Sequence, residues 1–175
     1  MGARTVIAGL DLSLTASAIV TVPTNWDSDW KRVKSLVFGR SLPKGATDAD
    51  RIGRCRDIAL ALVRHAKQRG VKRAYIEGYA FSRNDQAHSI GELGGVVRYL
   101  LAVNGIEFVT ANMNTARKLL LGKVPRSGAK DACSLALHHA GAPAWSLDES
   151  DAFVCANLGL SEYAGAYCFA QAEAA

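Results

Sequence analysis

The chain has 175 residues, with 21 Lys and Arg against 16 Asp and Glu, a formal charge of +5. That length suits a single domain able to bury roughly 70% of its unfolded surface without a disulfide or metal staple. A hydrophobic fraction of 49% with 21% charged residues excludes a disordered or collagen-like chain, and no apolar run approaches the ~18 residues of a membrane span.

Residues 5–10 (Thr-Val-Ile-Ala-Gly-Leu) form a continuous apolar run, the pattern of a strand buried on both faces, and it closes on Asp11. The segment before it is unlike a secretion signal. A four-residue turn leads to a second strand over 16–22. Residues 23–30 read as a polar tip, and 33–38 as a third strand, completing an antiparallel meander. After a loop with Pro43 and Gly45, Thr47 caps a helix with Asp50 three residues on. Ile52, Cys55, Ala59, Leu62, Val63 and Ala66 mark that helix's apolar face, and Gly70 ends it. A short strand at 74–76 closes on Glu77. Residues 79–88 are polar and aromatic, and 90–103 read as a second helix stopped by Asn104-Gly105. A fifth strand at 106–109 follows, then helices at 113–121, 129–139 and 150–163, with a basic loop at 122–128. The expected architecture is a single α/β domain over 1–175. Its mixed five-stranded sheet has three antiparallel strands, then βαβ units, with helices on both faces, a layout that resembles the ribonuclease H-like fold.

Asp11 and Glu77 each end an apolar strand, where a charge is costly unless paired or metal-bound. Asp148 and Asp151 lie three apart at the start of the last helix, so they share one side and sit at the positive end of its dipole. Singly, each acid could be a solvated strand end or a cap, and Ser146 with Glu149 fits a capping box. Together they supply an all-oxygen donor set that suits Mg²⁺ or Mn²⁺. Two such ions roughly 3.5–4 Å apart can activate water and stabilise the leaving oxygen of a phosphodiester. The charge distribution agrees with a polyanionic partner. Residues 1–131 hold every Lys and Arg, whereas 132–175 hold none and carry five acids.

The motifs Gly9-Leu10-Asp11, Ile76-Glu77, the Ser89–Val96 stretch SIGELGGV and Asp148-Glu149-Ser150-Asp151-Ala152 resemble, in that order, those of the RuvC Holliday junction resolvases. The resemblance implies a ribonuclease H-like fold, a homodimer and Mg²⁺-dependent paired nicks in four-way DNA junctions. It also implies that Asp11, Glu77, Asp148 and Asp151 are the metal-binding carboxylates. Arg117 falls where the family has a basic residue, and Lys130 matches a family lysine acting near the scissile phosphate. The turn Leu12–Ser17 departs from the family's Pro-Gly…Thr-Gly pattern. The family's junction-probing aromatic falls at position 80, here Ala between Tyr79 and Phe81. Both departures resemble a divergent, phage-type member, expected in a cytoplasm, that of a bacterial host if phage-encoded.

Arg117, Lys118, Lys123, Arg126 and Lys130 form an acid-free cluster suited to phosphates, or else a solvated basic loop. Arg83 beside Tyr79 and Phe81 suits contact with unpaired bases, although either aromatic could belong to the core. Gly91 and Gly95 mark one helix face, which either pairs two copies of the chain or packs closely on the sheet. Cys55, Cys133 and Cys155 read as buried thiols of a reducing compartment, and His138 and His139 as surface or capping residues. The Met and Trp positions show no pattern. A ribonuclease H or related repair nuclease and a non-catalytic DNA-binding module are the competing readings. A two-lobed ATP-binding fold would need a second lobe that this length does not supply.

Overall fold

The computed structural model describes residues 5–78 and 86–163. Its five-stranded sheet has the order β3-β2-β1-β4-β5. The meander consists of β1 (Val6–Asp11), β2 (Ser17–Pro23) and β3 (Lys34–Phe38), paired antiparallel. β4 (Val71–Glu77) and β5 (Glu107–Ala111) add parallel pairs on the other side of β1. α1 (Asp48–Gln68) and α2 (Gln86–Val103) cover one face of the sheet. α3 (Met113–Leu121), α4 (Ala129–His139) and α5 (Leu147–Leu160) cover the other. The expected mixed sheet with helices on both faces is therefore present.

Strand periodicity sorts the side chains between the two cores. Ile7 and Tyr75 point to the α3–α5 side, while Ala8, Leu10 and Ile76 point to the α1–α2 side. The same alternation puts Asp11 and Glu77 on the α5 side. The parallel register pairs Leu10 with Ile76, so the next residues along, Asp11 and Glu77, end up side by side.

α5 is the central helix, buried nearly all round between the sheet and the helices α3 and α4. A helix enclosed in this way has no outward face for Lys or Arg. This accounts for the absence of Lys and Arg from α5 itself. α5 also lies against the backbone of β1, because a Cβ at Gly9 would collide with the Ala152 carbonyl and the Ala156 amide. At the far end, a Cβ on Gly159 would collide with the Tyr75 ring.

Several boundaries differ from the sequence expectation. α5 starts at Leu147 rather than residue 150, because Ser146 and Glu149 form a complete capping box ahead of it. β4 starts at Val71, three residues early, since its first turn of pairing is with β1 and does not need an apolar run. Ile52 is 50% exposed and does not join the α1 core, which begins at Cys55. The tip at 23–30 is not wholly polar: Trp26 is buried. Its ring packs with Trp30 and Phe153 at 4.7 and 5.4 Å, and Trp145 joins at 5.4 Å from Trp30. The Trp30 indole N–H donates to the Ala140 carbonyl at 2.7 Å. This cluster ties the β2–β3 connection to the turn that leads into α5. Cys55, Cys133 and Cys155 are buried free thiols, as expected; Cys168 lies outside the described residues. Among the described residues, no helix is long and apolar enough to cross a membrane.

Candidate active site

Three local features deliver four acids to one place. Asp11 and Glu77 are the last residues of adjacent parallel strands. Asp148 and Asp151 stand in the first two turns of α5, whose N-terminus is capped by Ser146. Gly9, two residues before Asp11, lets α5 approach close enough to complete the group. The Glu77 and Asp148 carboxyls both stand near Asp11, whose charge acts on each of them. Asp151 is almost wholly enclosed, its side chain 1% exposed.

Two cations from the α3–α4 side meet these acids. The Lys130 ammonium lies 2.9 Å from Asp151 Oδ2, 3.3 Å from Asp11 Oδ2 and 3.8 Å from Asp148 Oδ1. The Arg117 guanidinium donates to both Asp151 oxygens, at 2.9 and 3.2 Å. Four carboxylates thus face two cations, and the excess of negative charge shows in the titration of the group. Burial and the nearby charges of Asp11 and Asp151 push the Glu77 carboxyl up to about 8. Burial and the charge of Asp11 also raise Asp148. Burial works to lower the Lys130 ammonium, but its bonds to Asp151 and Asp11 outweigh it and hold the group charged well above the ordinary lysine range.

The donor set fits a hard divalent cation. It is all oxygen, and its acids outnumber its cations. Among the described residues no three acid, His or Cys side chains stand close enough together to hold a metal ion as they are placed; the Lys130 ammonium lies between Asp11, Asp148 and Asp151 instead. Beneath them, Cys155 is fully enclosed, its Sγ 3.3 Å from Met113 Sδ, and burial keeps its thiol protonated. It is packing, not a ligand.

The other sequence candidates fall elsewhere. Lys118, Lys123 and Arg126 are exposed around the loop that joins α3 to α4. Arg117, grouped with them in the sequence, instead turns inward to Asp151 and is only 14% exposed. Tyr79, Phe81 and Arg83 lie outside the described residues. Cβ atoms on Gly91 and Gly95 would meet nothing within 4 Å. Close packing on the sheet therefore does not explain these glycines, and their face of α2 continues into Tyr99, 66% exposed, and Val103. His138 and His139 are exposed at the end of α4, as expected. Gly9 was missed as a site residue. Its signal was present: a glycine inside an otherwise buried strand marks a close backbone approach.

No family profile matches the chain, and no curated protein sequence does. Solved structures do. The fold is similar to that of Thermus thermophilus RuvC in complex with Holliday junction substrate, with a TM-score of 0.62 at 18% identity over 87% of this chain and 90% of that one. A second T. thermophilus RuvC structure matches with a TM-score of 0.62 at 16% identity over 93% and 98%. Fowlpox virus resolvase bound to Holliday junction DNA matches with a TM-score of 0.51 at 9% identity over 90% and 98%. The chain has the α/β fold shared by these proteins.

Proposed function

We propose that a chain with this fold and this carboxylate cluster is a metal-dependent, structure-selective DNA endonuclease that resolves four-way junctions. The observation that carries the reading is the meeting of Asp11, Asp148 and Asp151 around one cation position, with Glu77 beside Asp11 at the neighbouring strand end. It occurs in a fold whose solved neighbours include RuvC and poxvirus resolvase complexes with Holliday junction DNA.

In this reading the four acids hold two Mg²⁺ or Mn²⁺ ions. Bound divalent ions supply a reactive water at neutral pH and stabilise the leaving oxygen of the cut strand. The chain's own residues do the rest. Arg117 holds Asp151 in orientation through both oxygens. Lys130, whose ammonium here lies among the carboxylates, is the group that would reach the scissile phosphate once metal is bound. Lys118, Lys123 and Arg126 present exposed charge to flanking phosphates. Tyr79, Phe81 and Arg83, six residues or fewer beyond Glu77 in sequence, are the candidates to meet unpaired bases. Two copies joined through the Gly91 and Gly95 face of α2 would present two sites, as symmetric paired nicks require. The setting is the cytoplasm, that of a bacterial host if the gene is viral.

The test is a gel assay of four-way junction, flap, RNA–DNA hybrid and plain duplex, each with and without Mg²⁺. Wild type should nick the junction in symmetry-related pairs only with the metal, and Asp11→Asn should bind the junction yet leave it intact. Preferential cutting of the hybrid would replace this reading with a ribonuclease H. Binding without any metal-dependent cutting would make the chain a DNA-binding module.

A further inference from the structure

We propose that the two cations of the site have different duties: Arg117 is the permanent partner of Asp151, and Lys130 is a removable one that a divalent cation displaces from Asp11, Asp148 and Asp151. The inference rests on the carboxylate cluster being the metal site of the proposed nuclease, and it adds how that site is held together before metal arrives.

The Lys130 ammonium touches carboxylates of both β1 and α5, at 2.9 Å from Asp151, 3.3 Å from Asp11 and 3.8 Å from Asp148. It therefore engages the oxygens that a hard cation would need. A carboxylate lone pair cannot serve both, and two cations in one small space repel each other. Binding of metal and retention of Lys130 in this place compete.

The two cations are not equally removable. Arg117 grips both oxygens of Asp151 with a planar fork. It projects from α3, whose Ala116 and Leu120 are buried in the core, and its own side chain is 14% exposed. Lys130 is a point charge on a flexible stem, and its side chain is 41% exposed. It stands in the first turn of α4, next to the exposed 122–128 loop, with Gly128 at φ 69° as the helix N-cap. Its stem can swing outward without disturbing the core.

Buried carboxylates without partners are strongly destabilising. In the metal-free protein, Lys130 keeps Asp11 and Asp151 partnered, and so keeps β1 and α5 together at the site. Once a divalent ion takes over that duty, the ammonium is free to face the phosphates carried past the basic loop. Lys130 thus links metal loading to substrate contact.

Calorimetric titration with Mn²⁺, without DNA, tests the exchange. Lys130→Met should bind Mn²⁺ about tenfold tighter than wild type or better, because one nearby positive charge has gone. The same variant should melt lower than wild type in chelator, with the gap closing in saturating Mn²⁺. Arg117→Lys should bind Mn²⁺ more weakly and melt lower under both conditions. A Lys130→Met protein that binds Mn²⁺ no tighter than wild type overturns the proposal. Should that variant fail to fold, the wild type answers alone: acetylation of Lys130 by acetic anhydride, read by mass spectrometry, must speed up when Mn²⁺ is added. An unchanged or slower rate overturns the exchange. Junction cleavage by wild type is scored separately. A chain that cuts but shows no exchange loses only this inference, and one that exchanges but cuts nothing loses only the nuclease reading.

Discussion

Glu77 shows what four acids and two cations do to a single side chain. Its carboxyl, half-buried beside Asp11, is pushed up to about 8 from the ordinary 4.5 of the unfolded chain. Between those values the native chain holds a proton that the unfolded chain has lost, so stability from this group is present below pH 4.5 and is lost as pH rises through 8. Metal-free protein should accordingly melt progressively lower from about pH 5 to about pH 8, and Glu77→Gln should flatten that slope. Thermal melts in chelator across the range check it; an equally steep fall in the Gln variant would remove Glu77 as the cause. Saturating Mg²⁺ should also flatten the slope, since a divalent ion favours the ionised carboxylate.

At the scale of elements, the site depends on how closely β1 and α5 approach. Gly9 carries no chemistry, yet a side chain there would strike the backbone of α5 at Ala152 and Ala156. Backbone cannot move aside as the end of a flexible side chain can, so Gly9→Ala must push the helix away from the strand. Overpacking of this kind costs about 1–3 kcal/mol, and more where backbone resists. Urea denaturation should show that loss, together with a fall in junction cleavage larger than the stability change explains, because Asp148 and Asp151 move away from Asp11. Full cleavage by a stable Gly9→Ala protein would mean that the helix position is not critical. The capping box at Ser146 and Glu149 was legible because all its partners lie within four residues. The start of α5 was still placed late, since Leu147 and Asp148 precede the apolar run that marked it. Trp26, Trp30 and Trp145 were illegible as a group: Trp145 joins the other two across more than a hundred residues, beyond the reach of any local period.

For the whole molecule, the exposed face of α2 matters most. Gly91 and Gly95 have free space outside them, and Tyr99 and Val103 extend the same exposed strip. Replacing a helical glycine by alanine gains about 1 kcal/mol when nothing else is affected. The double variant Gly91→Ala and Gly95→Ala should therefore fold as a more stable monomer but dimerise more weakly, if two copies approach there. Sedimentation would show the shift to monomer, and junction nicks should lose their pairing while single nicks persist. A dimer of unchanged strength would place the interface elsewhere. Long-range charge enters at this scale too. With the acids engaged by cations at one end of the sheet, the exposed Lys118, Lys123 and Arg126 dominate the field that a polyanion meets there.

The sequence alone determined what short-range physics encodes. Strand and helix periods revealed five strands and five helices in order, and residue types at strand ends and a helix start picked out Asp11, Glu77, Asp148 and Asp151. These signals are local because a period, a cap or a buried charge is decided by a residue's immediate neighbours. Only the tertiary structure decided which cation serves which acid. Arg117 looked like one more member of a basic cluster until the packing of α3 turned it onto Asp151, 34 residues away. Lys130 reached Asp11 across 119 residues because α4 and β1 flank the same helix. Pairing of this kind follows from how elements dock, and docking depends on shape and volume throughout the core rather than on any one stretch of chain.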